Sequence, residues 1–456
     1  MRFHFVGIGG AGMSVVAELL HSQGATISGS DAKASAVTAH LEGLGIAVSI
    51  GQAAQNVPRD AVVVVSSAIR DDNPELAAAR AHGQRVLHRS QALALAAEGR
   101  DFVAVAGAHG KTTTSAMIAT ALSKAGFDPS WAIGGSVTGY GAGGHLGSGQ
   151  VVVAEADESD GSFLNYQPRI EVVTNVEPDH LDHYGTRAAF EQAFVEFSEL
   201  LVPGGLLVVC SDDDGAKRLG MQAIENGLRV VSYGRGSGIG GEEKHVRITQ
   251  ETHDAGVASG VFDDGVARYP VTLRVVGAHN LLNAAGAWVA GVELGVEGMA
   301  MAAALTEFAG TGRRFEIRGT AHGVTVVDDY GHHPTEVAAT LRAARERVGD
   351  GRVLAIFQPH LYSRTRNFAA EFAKALELAD YVIVTGVYAA REDPMDGVDG
   401  YLISDKMAGG AAFVEDKSEA ARSIAHVAKP GDMVLTIGAG DVTELGPFIL
   451  EEIAAL

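Results

Sequence analysis

Short apolar runs rich in β-branched residues alternate with longer Ala- and Leu-rich segments along the whole chain. In the first hundred residues Phe3–Gly7, Ala25–Ser30 and Ala61–Ser66 read as strands, and Met13–Gln23, Ala34–Leu44 and Pro74–His82 as helices. A near-continuous apolar strand followed by a helix-period segment is the rhythm of a parallel sheet with crossover helices. A second series opens with a strand at Phe102–Ala106, a glycine turn and a helix from about Thr112 to Ala125. The Gly-rich segment 134–149 reads as a loop, Val151–Ala154 and Ile170–Asn175 as strands, and Ala188–Leu200 as an amphipathic helix with Phe190, Phe194, Phe197 and Leu201 on one face. From Val246 to Val276 the period changes to two, with turns such as Asp263-Asp264-Gly265, which predicts an antiparallel meander; a helix follows from about Leu281. A third series has strands at Val324–Asp328, Val353–Phe357, Tyr381–Thr385 and Met433–Ile437, and helices at Glu336–Arg347, Ala369–Ala379, Glu419–Ala428 and Glu444–Ala454. The pattern predicts an α/β protein of three domains. These are a Rossmann-like domain at 1–98, a central phosphate-loop type domain with a small antiparallel sheet at 99–311, and a second Rossmann-like domain at 312–456.

The length of 456 residues fits three domains at roughly 150 each. With 46% apolar and 20% charged residues the chain can bury a large core without a disulfide or metal staple. Cys210 stands alone and follows the apolar run 206–209, which points to a buried strand residue and not a nucleophile. Thirty-five basic against 56 acidic side chains give a net charge of −21, which argues against a nucleic-acid partner while leaving room for a local basic pocket for one phosphorylated small molecule. Arg2–Val6 runs straight into a glycine loop, so no signal peptide is expected. The most apolar stretch, Leu281 to Leu305, is broken by Glu293, Glu297 and several glycines, so no membrane insertion is expected and the cytoplasm is the expected compartment.

The 58 glycines matter most in two places. Gly7-Ile8-Gly9-Gly10-Ala11-Gly12-Met13 follows a strand and opens a helix, where backbone N–H groups can meet a pyrophosphate. Asp31 ends the next strand, where an acid often binds a ribose hydroxyl. This loop alone does not separate a nicotinamide dinucleotide from a UDP-sugar, and a plain tight turn remains open. Gly107-Ala108-His109-Gly110-Lys111-Thr112-Thr113 occupies a second strand–helix junction. A lysine there faces an anion: Lys111 suits the β/γ-phosphates of ATP or GTP, and the Thr112 hydroxyl suits Mg²⁺. Val105 stands where the usual phosphate loop has its first glycine, so this loop is short. Glu155, Asp157 and Glu158 end the next strand and read either as carboxylates for a hard cation or as an exposed acidic turn. Asn175 to His183 adds a His–Asp cluster, a second metal site or a phosphate contact.

Taken together these motifs resemble the Mur ligase family of peptidoglycan synthesis, over essentially the whole chain. The resemblance is carried by Gly110-Lys111-Thr112-Thr113-Thr114, Glu155, Asp179-His180-Leu181-Asp182, His279-Asn280 with Asn283, Arg313-Arg314-Phe315-Glu316 and Asp328-Asp329-Tyr330-Gly331-His332-His333-Pro334, in the family's order. Later-acting members carry a lysine that becomes carbamylated; the matching position here is Phe194, on an apolar helix face. Phe194, the form of the first glycine loop and Gln358-Pro359-His360-Leu361-Tyr362-Ser363-Arg364-Thr365 point to the branch that adds L-alanine to UDP-N-acetylmuramate. The branch that recycles a tripeptide is the nearest alternative. A nicotinamide-dependent oxidoreductase, or a non-enzymatic nucleotide switch, would leave most of these motifs idle.

The resemblance implies an ATP-dependent ligase, EC 6.3.2.8, with ATP and two Mg²⁺ ions as cofactors. It places ATP on Gly107, His109, Gly110, Lys111, Thr112, Thr113, His279, Asn280, Asn283 and Arg314, and the metals on Thr112, Glu155 and His180. Asp329 would help close the site. His332, His333 and Arg364 would hold the alanine carboxylate or the reacting acyl group, a surface ion pair being the plainer reading of Arg364. Gly9, Gly10, Gly12, Met13, Asp31, Ser66 and Ser67 would line the UDP-sugar pocket. The roles within the pairs Asp328/Asp329 and His332/His333 stay open.

Overall fold

The computed structural model describes every residue except 142, 241, 242, 255 and 391, and every described side chain except those of 11, 181 and 182. The chain forms two compact units. One comprises Met1–Thr249, Val261–Tyr269 and Leu282–Glu307; the other comprises Gln250–Gly260, Pro270–Leu281 and Phe308–Leu456.

In the first unit, strands Arg2–Val6, Thr26–Asp31, Ala47–Ile50, Val62–Val65 and Val86–His88 make an all-parallel sheet in the order third, second, first, fourth, fifth. The order reverses beside the first strand. The loops leaving the first and fourth strands therefore part at their C-terminal ends and open a crevice. Helices Ala11–Ser22, Ala36–Gly43, Pro74–Ala81 and Arg89–Ala96 accompany the sheet. The third begins on an Asn73 side chain that accepts from the Glu75 and Leu76 N–H groups, with Pro74 at its first position. The two outermost strands and the helix Arg89–Ala96 escape the hydrophobic pattern. Each strand is short and only partly buried, so neither shows a long apolar run.

The larger sheet runs Arg268–Val276, Val257–Asp263, Lys244–Asp254, Arg229–Gly234, Leu206–Cys210, Ile170–Val173, Asp101–Ala106, Val151–Glu155, Ser130–Ala132 and Gly144–His145. Pairing is parallel from Lys244–Asp254 to Ser130–Ala132, and the Gly144–His145 edge is antiparallel. The strands 257–263 and 268–276 are joined by residues 264–267 alone, a link that permits only antiparallel pairing. The predicted meander is thus continuous with the parallel sheet. The Gly-rich segment 134–149 is mostly loop, as its composition suggests, but Gly144 and His145 pair with Ala132 and Trp131. Helix Arg187–Ser198 buries Phe190, Phe194 and Phe197. Phe194 lies against Phe163 and Phe190, at ring distances of 5.4 and 5.2 Å. Cys210 is buried at the end of its strand, as expected.

In the second unit, Glu316–Ala321, Val324–Asp329, Met433–Ile437, Val353–Phe357, Tyr381–Val384 and Ala412–Phe413 form a six-stranded sheet. It is parallel except at Glu316–Ala321, which pairs antiparallel with Val324–Asp329. The four inner strands are largely buried, and helices Pro334–Val348, Tyr362–Leu376, Lys417–Val427 and Leu445–Ala455 pack on them. The second of these helices starts at Tyr362, earlier than its apolar period indicates, and is kinked where Phe368 leaves helical geometry.

Candidate functional site

At the switch point of the first sheet lies a cleft of about 420 Å³ lined by Gly7, Gly9, Gly10, Gly12, Met13, Asp31, Lys33, Ser35, Ser66, Ala68, Ile69 and Arg89. The expected loop residues are here. Asp31, however, is turned onto the loop itself, its Oδ2 accepting from the Gly9 N–H at 2.9 Å. Ser66 lines the cleft, whereas Ser67 turns aside, donating to Asp160 and meeting His88 Nε2 at 3.0 Å. Arg89 escaped the sequence reading. It opens a helix 77 positions after Gly12 (89 − 12), yet its guanidinium passes within 3.1 Å of where a Gly12 Cβ would stand. Only the strand order brings the two together.

The phosphate loop sits between Asp101–Ala106 and the helix Lys111–Lys124. Gly110 caps that helix with φ +81, left-handed geometry that glycine adopts without strain. A Cβ there would also stand 2.6 Å from Asn283 Oδ1, which places this predicted nucleotide contact against the loop. Two residues from the neighbouring strand end hold the loop from behind. Asn175 accepts from the His109 N–H (3.0 Å) and donates to the His109 carbonyl (2.9 Å), and Thr174 donates to the same carbonyl (2.5 Å). His109 Nε2 lies 3.0 Å from Glu177. His279 and Asn280 open the helix His279–Glu293, and Asn280 donates to the Val276 carbonyl at 2.7 Å.

Lys111 donates to the carbonyl of Gly107 (2.6 Å) and to Glu158 Oε1 (2.8 Å). Glu158 is fully buried, so the acidic segment is not an exposed turn. Burial pushes its carboxyl up to about 7 against the pull of the Lys111 ammonium, and Asp157 adds to the rise. For Lys111 burial works the other way, but Glu158, Asp157 and Glu155 outweigh it and raise the ammonium's pKa. Glu155 ends its strand and accepts from the Gly134 N–H at 2.8 Å. His180 Nε2 stands 3.6 Å from both Glu158 Oε1 and Asp179 Oδ2. The side chains of Leu181 and Asp182 in the same motif lie outside the described ones.

The second unit gathers the other predicted residues. Asp328 and Asp329, equivalent in sequence, differ in surroundings. Asp328 accepts from Arg313 Nε (3.1 Å), Thr436 (2.7 Å) and Thr443 (2.8 Å). Asp329 accepts from the Phe315 and Gly331 N–H groups and from Thr340, which pins both motif turns. Burial raises the Asp329 carboxyl, with Arg314 and these donors opposing. Arg313 and Arg314 lie over the Tyr330 ring at 4.9 and 5.0 Å. His333 caps the helix Pro334–Val348, while His332 stands 5.4 Å from Tyr330 and 6.0 Å from His360, ring to ring. Arg364 is 6% exposed, which removes the surface ion-pair reading. His180, Arg313, Phe315 and Leu361 all have φ between 50 and 67°, so each of these motif segments holds a left-handed non-glycine residue.

Three family models match in succession: "Mur ligase family, catalytic domain" over residues 2–101, "Mur ligase middle domain" over 105–291, and "Mur ligase, glutamate ligase domain" over 313–440. The UDP-N-acetylmuramate–L-alanine ligases of Kineococcus radiotolerans and Renibacterium salmoninarum are each 52% identical, covering 99% of this chain and 96% of theirs. The chain belongs to the Mur ligase family. Among solved Mur ligases, the UDP-N-acetylmuramate–alanine ligase of Thermotoga maritima is 31% identical with a TM-score of 0.78, covering 100% of this chain and 99% of its own. A murein peptide ligase of Psychrobacter arcticus is 25% identical with a TM-score of 0.71, at the same coverage. Mur ligases are ATP-dependent, which leaves the oxidoreductase reading without support. Among the described residues no helix is long and apolar enough to cross a membrane.

What the motifs missed was the support around them. Asn175 and Thr174, Glu158 as the partner of Lys111, and Arg89 in the glycine cleft each act across a long stretch of chain. Of these, only Asn175 and Glu158 stood inside a segment that had drawn notice.

Proposed function

We propose that this Mur ligase joins L-alanine to the lactyl carboxylate of UDP-N-acetylmuramate, with ATP converted to ADP and phosphate. The observation that carries the reading is the 52% identity, over 99% of the chain, to ligases of that name. Phe194 supports the same branch, because an apolar, fully buried phenylalanine offers no amine for carbamylation. The lower identity to the murein peptide ligase of Psychrobacter arcticus ranks the recycling reading second.

The chemistry follows from the leaving group. A carboxylate does not acylate an amine, because oxide does not leave. Transfer of the γ-phosphoryl group to the carboxylate gives an acyl phosphate, alanine nitrogen attacks its carbonyl carbon, and phosphate departs as the amide forms. Two anions must meet in the first step, so cations have to dominate the site. Lys111 is assigned to the β- and γ-phosphates, and Gly107 to Thr113, with Asn283, to the nucleotide. His279, Asn280 and Arg314 are further nucleotide contacts. The glycine cleft, with Arg89 added, is assigned to the UDP diphosphate. His332, His333 and Arg364 are assigned to the alanine carboxylate or the acyl group, and Asp329 to holding the turns that carry them. Domain borders near 98 and 311 and a cytoplasmic location belong to the same proposal.

The donor set fits Mg²⁺. The Thr112 hydroxyl and Glu155 carboxylate are hard oxygen ligands at a strand end and a helix start, and His180 is set between two carboxylates. Thr112 and Glu155 would hold a first ion and His180 a second, and the metals would supply Lewis-acid stabilisation of phosphoryl charge. Phosphate release from ATP tests the reading: it is expected only with UDP-N-acetylmuramate and L-alanine together, and release that requires the tripeptide in place of alanine would move the chain to the recycling branch. Lys111→Ala is expected to abolish turnover while UDP-N-acetylmuramate still binds, measured by calorimetry; loss of both would refute the separation of the two sites.

A further inference from the structure

Lys111, the residue that has to meet the nucleotide's phosphates, already has an anionic partner. Its ammonium donates to Glu158 Oε1 at 2.8 Å and to its own loop carbonyls at Gly107 (2.6 Å) and Ala108 (3.4 Å). Glu158 is 0% exposed, and its other oxygen, Oε2, is buried without a hydrogen-bond partner. The Glu158 main chain is held as well: its carbonyl accepts from the Tyr184 hydroxyl at 2.5 Å and from the Gly161 N–H at 3.2 Å. Glu155 and Asp157 also act electrostatically on the lysine. The ammonium is therefore paired with a buried carboxyl group before any nucleotide binds.

We infer that Glu158 makes this site selective for the metal complex of the nucleotide: it keeps the lysine's charge neutralised, so that a bare polyphosphate is repelled and only a phosphate group carrying its own divalent cation is accepted. The inference rests on the assignment of ATP to this loop. Physically, a bare polyphosphate must displace a buried, hydrogen-bonded carboxylate from Lys111 and then sit beside it. Two like charges at short range inside protein repel more strongly than they do in water. A bound Mg²⁺ cancels two of the phosphate charges and turns the neighbouring carboxylates from repulsive to attractive. Glu158 thus acts as a selectivity residue for ligand charge.

Calorimetric titration of the full-length protein with ADP, once in EDTA and once with Mg²⁺, tests this. The wild type is expected to bind ADP strongly with Mg²⁺ and poorly without. Glu158→Gln, which keeps the shape and one oxygen for Lys111, is expected to bind metal-free ADP at least about tenfold more tightly than the wild type, the effect of one partly screened charge. Its affinity in Mg²⁺ is expected to change less. Unchanged or weaker binding of metal-free ADP by a folded Glu158→Gln would overturn the inference. Should that variant not fold, Asp157→Asn removes a half-buried charge from the same group, and a gain of about two- to threefold for metal-free ADP is expected from its more screened position; no gain would overturn the inference equally. Failure of the wild type to bind ADP even with Mg²⁺ would instead remove the ATP assignment itself.

Discussion

Replacing Glu171 with leucine is expected to stabilise the protein, and by more at pH 8 than at pH 5. Glu171 lies in the strand Ile170–Val173, between Ala104 on one neighbouring strand and Leu207 on the other. It is fully buried, and neither carboxyl oxygen has a partner. Burial alone, with no cation to oppose it, raises its pKa well above the ordinary carboxylate value. An unsatisfied buried polar group costs roughly 1–3 kcal/mol, and leucine of similar size removes that cost. The second term depends on pH. The folded state holds the proton more tightly than the unfolded chain, so the contribution of this group to stability is complete below the unfolded pKa, near 4.5, and is lost as pH rises toward the folded value. Each pH unit in that window costs about 1.4 kcal/mol. Leucine does not titrate. The stability difference between Glu171→Leu and the wild type is therefore expected to be about 1–3 kcal/mol near pH 5 and to widen by about 1.4 kcal/mol per unit above it. Urea denaturation followed by circular dichroism at pH 5, 6, 7 and 8 measures this, read from the transition of the N-terminal and central region. A destabilised variant, or a difference that does not change with pH, would show that Glu171 has an ionic or hydrogen-bonded partner and refute the reasoning.

Two further substitutions probe the residues that support the site. Asn175→Ala removes both hydrogen bonds that fix the His109 backbone; at about 1 kcal/mol each, kcat/KM for ATP is expected to fall about tenfold to thirtyfold with KM for UDP-N-acetylmuramate unchanged. A parallel rise in both KM values would mean that Asn175 supports the fold and not the loop. Arg89→Ala is expected to weaken UDP-N-acetylmuramate binding about tenfold to a hundredfold, the worth of one charge-assisted phosphate contact, and to leave ADP binding as it was; equal UDP-sugar affinity in calorimetry would remove Arg89 from the diphosphate site.

Local signals made much of this protein legible. The strands Asp101–Ala106, Val353–Phe357 and Met433–Ile437 are nearly continuous apolar runs, because a parallel strand covered on both faces has no polar side to show. The two glycine loops depend on backbone geometry set by adjacent residues, so their spacing alone predicts where each helix starts. Phe194, in phase with Phe190 and Phe197, announced a buried position. The edge strands Ala47–Ile50 and Val86–His88 were not legible, since short, half-exposed strands carry little pattern. Nor was the start of the helix at Tyr362, whose first turns are polar before the Phe368 kink.

Sequence by itself determined the fold class, the phosphate-binding loops and the order of motifs that marks the family, because each is written in residues a few positions apart. Tertiary structure decided which side chains those motifs meet. Glu158 reads as one acid in a polar string, and only the arrangement of the strand Val151–Glu155 beside Asp101–Ala106 buries it on Lys111. Asp328 and Asp329 are adjacent and chemically identical, yet alternate pleat directions give one to Arg313 and the other to the backbone of two turns. Arg89 reaches the first glycine loop because the fourth strand lies next to the first. Each of these pairings joins residues that strand order, and not chain distance, makes neighbours.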